Sequence, residues 1–161
     1  MIRLLLSVAI LATMQSPTKD LVSKEDHFRL KYPARMQVHS QAATDYEKDF
    51  NFKSGATQPL QLRVVDLDKY LPQTATPDTK SYVAAFKKLT KYREAQIAGK
   101  PVYEYLICGR GSCSQEVVFI HAGRMYEFSI EVPGIAKPDA ISFESRPPEI
   151  KALVSSIEFD Q

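Results

Sequence analysis

Little in this 161-residue chain announces a chemistry. Charge of one sign is scarce: 21 Lys and Arg against 19 Asp and Glu leave a formal net charge of +2. No basic tail or stripe concentrates that small excess, which argues against holding a polyanion, so no nucleic-acid partner is expected. Tryptophan is absent, and 6 Gly and 10 Pro are spread along the chain, which fits neither a fibrous repeat nor a disordered low-complexity tract. No apolar run approaches the ~20 residues that a membrane-spanning helix requires, so no membrane span is expected. Histidine occurs three times, at His27, His39 and His121, near strand ends or in a loop, where it reads as a surface or satisfied polar residue rather than a base. With no G-x-S-x-G, H-E-x-x-H or calcium-loop pattern, the chain lacks the converging groups an enzyme needs. The sequence therefore reads as a non-enzyme with no cofactor and no metal. G-R-G-S at 109–112 is too short for a phosphate loop. Asp66 and Asp68 lack the further ligands that a cation site demands.

What is present begins at the N-terminus. Arg3 precedes an apolar run from Leu4 to Ala12, followed by small and polar residues ahead of Pro17. That order of charge, apolar run and polar exit describes a signal peptide over 1–16, cleaved near residues 12–16. A periplasmic or secreted product follows, with residues 17–161 as one domain, a length suited to a single core.

Only two cysteines occur, Cys108 and Cys113, in C-G-R-G-S-C. In an exported chain such a close pair predicts a disulfide. Strand-like runs flank it on both sides, so it reads as a staple at the tip of a hairpin. Cys113 as a nucleophile partnered by His121 is disfavoured because the second thiol would consume it. A zinc site would need two more ligands, which His27 and His39 are not spaced to supply.

Period-two alternation places strands over 27–33, 45–53 and 60–66. A loop is expected over 66–76. Thr76 as N-cap, Pro77 at the first helical position and Asp78 in the first turn open a helix, with Tyr82, Val83, Phe86 and Leu89 as its apolar stripe. Lys87, Lys88, Lys91 and Arg93 at its far end read as a solvated face that compensates the dipole. A short strand over 95–98 precedes a meander of 102–108, 113–121 and 124–132. If Ala122 and Gly123 form a two-residue turn, His121 pairs with Arg124, and Val117, Phe119, Tyr126, Phe128, Ile130 and Val132 share a core face. The opposite face mixes Tyr103, Tyr105 and Val118 with Glu116, Glu127 and Ser129 and is only partly apolar. A connector over 135–146 leads to a helix opened by Pro147, Pro148 and Glu149, with Ile150, Leu153 and Val154 buried, and a closing strand S-I-E-F. The expectation is an α+β fold with two main helices and about seven strands.

The order of motifs resembles a known family. F-R-L-K-Y-P (28–33), S-Y-V-A-A-F-K-K (81–88), G-K-P-V-Y-E-Y (99–105), G-R-M-Y-E-F (123–128) and S-S-I-E-F (155–159) are similar in sequence order to the PsbP-like group, named for an extrinsic subunit of the photosystem II oxygen-evolving complex. The resemblance spans nearly all of 17–161. It implies an α/β/α sandwich around a mainly antiparallel sheet, and a role in binding, docking or assembly rather than catalysis.

The functional expectation is an exported binding or assembly-accessory domain of the bacterial envelope that docks to a protein partner. Arg110, at the tip of the stapled turn, is the candidate contact, because a disulfide orders a loop before it binds. The alternative is a small-molecule carrier or hydrolase with a pocket between the sheet and the first helix, lined by Tyr103 and Tyr105 and holding Glu104 or Glu116 at a raised pKa.

Overall fold

The computed structural model describes residues 17–55, 57–70, 92–109, 112–132 and 142–160. The expected signal peptide, the helix opening at Thr76 and Arg110 lie outside these residues. Ten strands are described: β1 (Thr18–Ser23), β2 (Phe28–Pro33), β3 (Gln37–Ala42), β4 (Glu47–Ser54), β5 (Thr57–Asp66), β6 (Tyr92–Ile97), β7 (Lys100–Cys108), β8 (Cys113–His121), β9 (Arg124–Val132) and β10 (Glu158–Phe159). Two helices accompany them, α1 (Leu67–Tyr70) and α2 (Pro148–Ser155), with a 3-10 turn at Phe143–Ser145. Seven strands form one antiparallel sheet in the order β3-β4-β5-β9-β8-β7-β6, and β1-β2-β10 form a second. The α+β class and the mainly antiparallel sheet are as the sequence predicts.

The long meander follows the alternation of its residues. Ala122 (φ 45°) and Gly123 (φ 76°) both take the left-handed conformation of a tight hairpin turn, and His121 stands opposite Arg124. Phe128, Ile130, Tyr126, Val117 and Phe119 thereby share one face, joined by Phe50, Phe52, Leu60 and Leu62 from β4 and β5. Phe28 and Leu30 of β2 close over this face together with Ile150, Leu153 and Val154 of α2. Phe28 meets Phe50 and Tyr126 edge-on, with ring centroids 5.2 and 5.9 Å apart, the geometry that aromatic quadrupoles favour. The Tyr126 hydroxyl donates to the Asp26 carbonyl at 2.9 Å, and burial pushes its pKa up to about 12.

Helix α2 starts where Pro is tolerated, with Pro148 in its first turn and Glu149 at the positive end of its dipole. It is tied to β2 at its far end: Ser156 Oγ accepts the Lys31 N–H at 2.8 Å and donates to the Lys31 carbonyl at 3.1 Å.

Several boundaries differ from the sequence reading. Residues 67–70, expected as loop, make a helical turn anchored by the Leu67 N–H bond to the Gly123 carbonyl at 2.9 Å. The strand expected over 95–98 runs from Tyr92 to Ile97, and Ala98 and Gly99 form the turn, both with positive φ. Strands β1 and β3 were not expected. Both are edges whose side chains are mostly exposed, so no buried face imposes an alternation on their sequences.

Candidate functional site

The far face of the seven-stranded sheet carries its own smaller cluster. Val65, Leu67, Val118 and Met125 are buried there, with Tyr46, Tyr103, Tyr105 and Ile120 packed against them. Beside this cluster lies a chain of polar groups that the pleat brings together from five strands. Arg63 of β5 reaches Glu47 at 2.9 Å, Asp49 at 3.5 Å and Glu127 at 3.6 Å. Burial opposes its charge, but Glu127, Glu47 and Asp49 outweigh that and raise its pKa. The Tyr105 hydroxyl donates to Glu127.

Glu116 is the most deeply placed member, 2% exposed. Ser114 Oγ donates to one of its oxygens at 2.5 Å, and Ser129 Oγ donates to the other. Burial holds its pKa above the ordinary glutamate value, with Glu127 adding to the effect; the two serine hydroxyls and Arg63 act against it. Both oxygens are thus engaged by the protein itself. The bond from Ser129 ties β9 to β8.

Glu104 does not join this group. Tyr103 and Tyr105 face outward with Glu116, whereas Glu104 is opposite Val117 in register and lies on the core side. There it pairs with Arg93, whose guanidinium also donates to Ser142 Oγ at 2.9 Å. The two carboxylates weighed together for one pocket sit on opposite faces of the sheet. Of the two, only Glu116 shares a face with the tyrosines.

At the end of this face stands the stapled turn. Cys108 and Cys113 are register partners, with Cα atoms 4.1 Å apart and sulfurs at the bonding distance of 2.08 Å. The Gly109 N–H donates to the Ser112 carbonyl at 2.9 Å and closes the hairpin inside the staple. Ile107, 52% exposed, borders a hollow of 360 Å³ whose wall also includes Cys113, Ser114, Ser129 and Glu131. An exposed isoleucine thus stands beside the stapled turn.

The histidines are dispersed. His27 occupies the β1–β2 turn with φ 55°, and His39 is on edge strand β3. His121 lies at the opposite end of β8 from the cysteines, stacked on Phe159 with ring centroids 4.8 Å apart. Among the described residues no three His, Cys, Asp or Glu side chains are grouped to hold a metal, and no helix is long and apolar enough to cross a membrane. Sequence reasoning missed the Arg63 cluster. Its signal was available in the period-two placement of Glu47, Asp49, Arg63 and Glu127 on one face, but only once β4, β5 and β9 are known to be adjacent.

No family model matches the chain, and no curated protein does. Solved structures do. A crystal structure from Bacteroides thetaiotaomicron VPI-5482 is 12% identical with a TM-score of 0.55, matching 92% of this chain and 50% of its own. This chain therefore spans half the length of that protein. The solution structure of cyanobacterial PsbP from Synechocystis sp. PCC 6803 is 13% identical with a TM-score of 0.51, and the match covers 94% of this chain and 98% of that one. At such identities the likeness is one of fold, and the fold of this chain is PsbP-like.

Proposed function

We propose that the protein is an exported, non-enzymatic binding or assembly-accessory domain of the bacterial envelope that docks to a protein partner through its stapled β7–β8 turn. Residues 1–16 are its signal peptide and 17–161 its single domain. The observation that carries this reading is the Cys108–Cys113 pair at bonding distance beside exposed Ile107. A cross-linked turn loses little conformational freedom on binding, and an exposed apolar side chain next to it supplies contact area. Arg110, between the two cysteines in sequence, is the proposed polar contact. The leader-like order of Arg3 and the apolar run supports export, and a disulfide persists in that compartment. The PsbP-like fold supports a docking role by analogy alone.

The carrier or hydrolase alternative draws on the raised pKa of Glu116. Its carboxylate, however, already has a hydroxyl partner on each oxygen, and Glu104 lies on the other face. Affinity purification of tagged wild-type and Arg110→Glu protein from native cells tests the docking reading. The expected result is a partner retained by wild type and lost from the variant. An unchanged partner yield discards the contact, and catalytic turnover by the purified protein discards the non-enzymatic role.

A further inference from the structure

Among the described residues the seven-stranded sheet ends at β3, and this strand carries none of the sequence devices that normally keep an edge from pairing. Gln37–Ala42 contains no Lys, Arg, Asp, Glu or Pro, and its register against β4 runs without a bulge. By contrast, edge strand β1 carries Lys19 and Asp20, and edge strand β6 carries Arg93 and Glu94. Native proteins blunt exposed edges with charge, proline or bulges; a flat uncharged edge is a template for another strand. All β3 residues except Val38 are exposed, and Val38 packs against the main core.

The backbone phase of this edge is fixed by its hairpin. The Ala43 N–H donates to the Glu47 carbonyl at 2.9 Å. Hydrogen-bonded pairs alternate along an antiparallel ladder, so the residues bonded to β4 are Gln37, His39 and Gln41. The N–H and C=O groups of Val38, Ser40 and Ala42 therefore point away from the sheet.

We infer that β3 is a self-association edge, at which a second copy of this chain pairs its own β3 antiparallel about a two-fold axis at Ser40. The strand's own sequence is what selects a second copy as the occupant. In this register Ser40 faces its counterpart, a small residue at the crowded axis. Val38 lies beside the copy's Ala42, whose methyl extends the cover over its exposed edge. His39 lies beside the copy's Gln41, so no two acidic or basic side chains of like sign meet. The contact is isologous and closes on itself, and it joins the two seven-stranded sheets into one continuous sheet. It is independent of the stapled turn, which stands at the β7–β8 end of the molecule.

Sedimentation equilibrium of the purified protein, with Ser40→Lys and Ser40→Glu variants, tests this. Wild type is expected to dimerise, and each variant, bringing like charges together at the axis, to associate about tenfold more weakly or worse. Mixing the two variants in equal amounts should restore the dimer, because Lys then faces Glu. Circular dichroism checks that both variants stay folded. Amide exchange gives a second readout: Val38, Ser40 and Ala42 should gain protection as wild-type concentration rises. A wild type that stays monomeric overturns the inference. So do variants that dimerise unchanged, a mixture that stays monomeric, or amide protection independent of concentration. Capture at β3 of an extended segment from another protein by a monomeric wild type would assign the edge to a different occupant.

Discussion

Gln115 offers the sharpest perturbation of the core. It is 1% exposed on β8, opposite Leu106 and Ile130, with Val117 and Phe119 next along the same face. Neither its amide nitrogen nor its amide oxygen has a hydrogen-bond partner among the described residues. Burying an amide without partners costs about 1–3 kcal/mol on mutational scales. Gln115→Met keeps the length and approximate volume of the side chain while removing both polar atoms, so the variant should be more stable by about that amount. For a domain of this size 1 kcal/mol corresponds to roughly 2–4 °C, which predicts a rise in Tm of about 2–12 °C. Thermal unfolding followed by far-UV circular dichroism, with a urea titration to confirm an unchanged m-value, measures it. The paired variant Gln115→Ala removes the same polar atoms but leaves a void, and should fall below Gln115→Met by about 2–5 kcal/mol. A Gln115→Met protein no more stable than wild type would refute the reasoning, since it would mean that the amide is satisfied in solution.

Glu116 sets a pH dependence. Its folded pKa is raised, so between the unfolded and folded values the native state holds more proton than the unfolded chain. Stability should therefore fall as pH rises through that window, by at most about 1.4 kcal/mol per pH unit from this group. Glu116→Gln should flatten that slope and be the more stable protein at neutral pH, as urea unfolding at a series of pH values would report. Replacing both Cys108 and Cys113 by Ala should cost about 2 kcal/mol, since the closed loop is short; a loss above about 4 kcal/mol in calorimetry would show that the staple supports more than its turn. Gly123→Ala should destabilise by about 1–2 kcal/mol, because a Cβ there meets Asp68 Oδ2 at 2.9 Å while φ is held at 76°, and an unchanged Tm would contradict the turn geometry.

The parts of the fold that were legible in the sequence are those where one face of a strand or helix is buried. Residues 117–132 were legible because Val117, Phe119, Tyr126, Phe128 and Ile130 share the main core face while the other face carries only a smaller cluster with Val118 and Met125, and Ala122–Gly123 could join its strands in a single way. Ile150, Leu153 and Val154 marked α2 for the same reason. Edge strands β1 and β3 were not legible, since exposed side chains leave no periodic trace and their pairing is decided by distant neighbours. Residues 67–70 gave no helical pattern because only Leu67 is buried. The cysteine pair was legible from spacing and its flanking strands. Grouping Glu104 with Glu116 overlooked the pleat: neighbours of Tyr103 and Tyr105 by one residue must point the other way. Gln115 could have been noticed by that parity, as the one polar residue on a run shared with Val117 and Phe119. The Arg63 cluster could not, because it joins strands whose adjacency no local pattern reveals.

The docking account is tested most directly by crosslinking tagged protein in intact native cells and mapping the products by mass spectrometry. The account predicts a reproducible protein neighbour whose crosslinks fall on the hairpin spanning Lys100 to Ser114 and disappear with Arg110→Glu. Recovery of a small molecule on the Tyr105 and Glu116 face, with no protein neighbour at the hairpin, would contradict it.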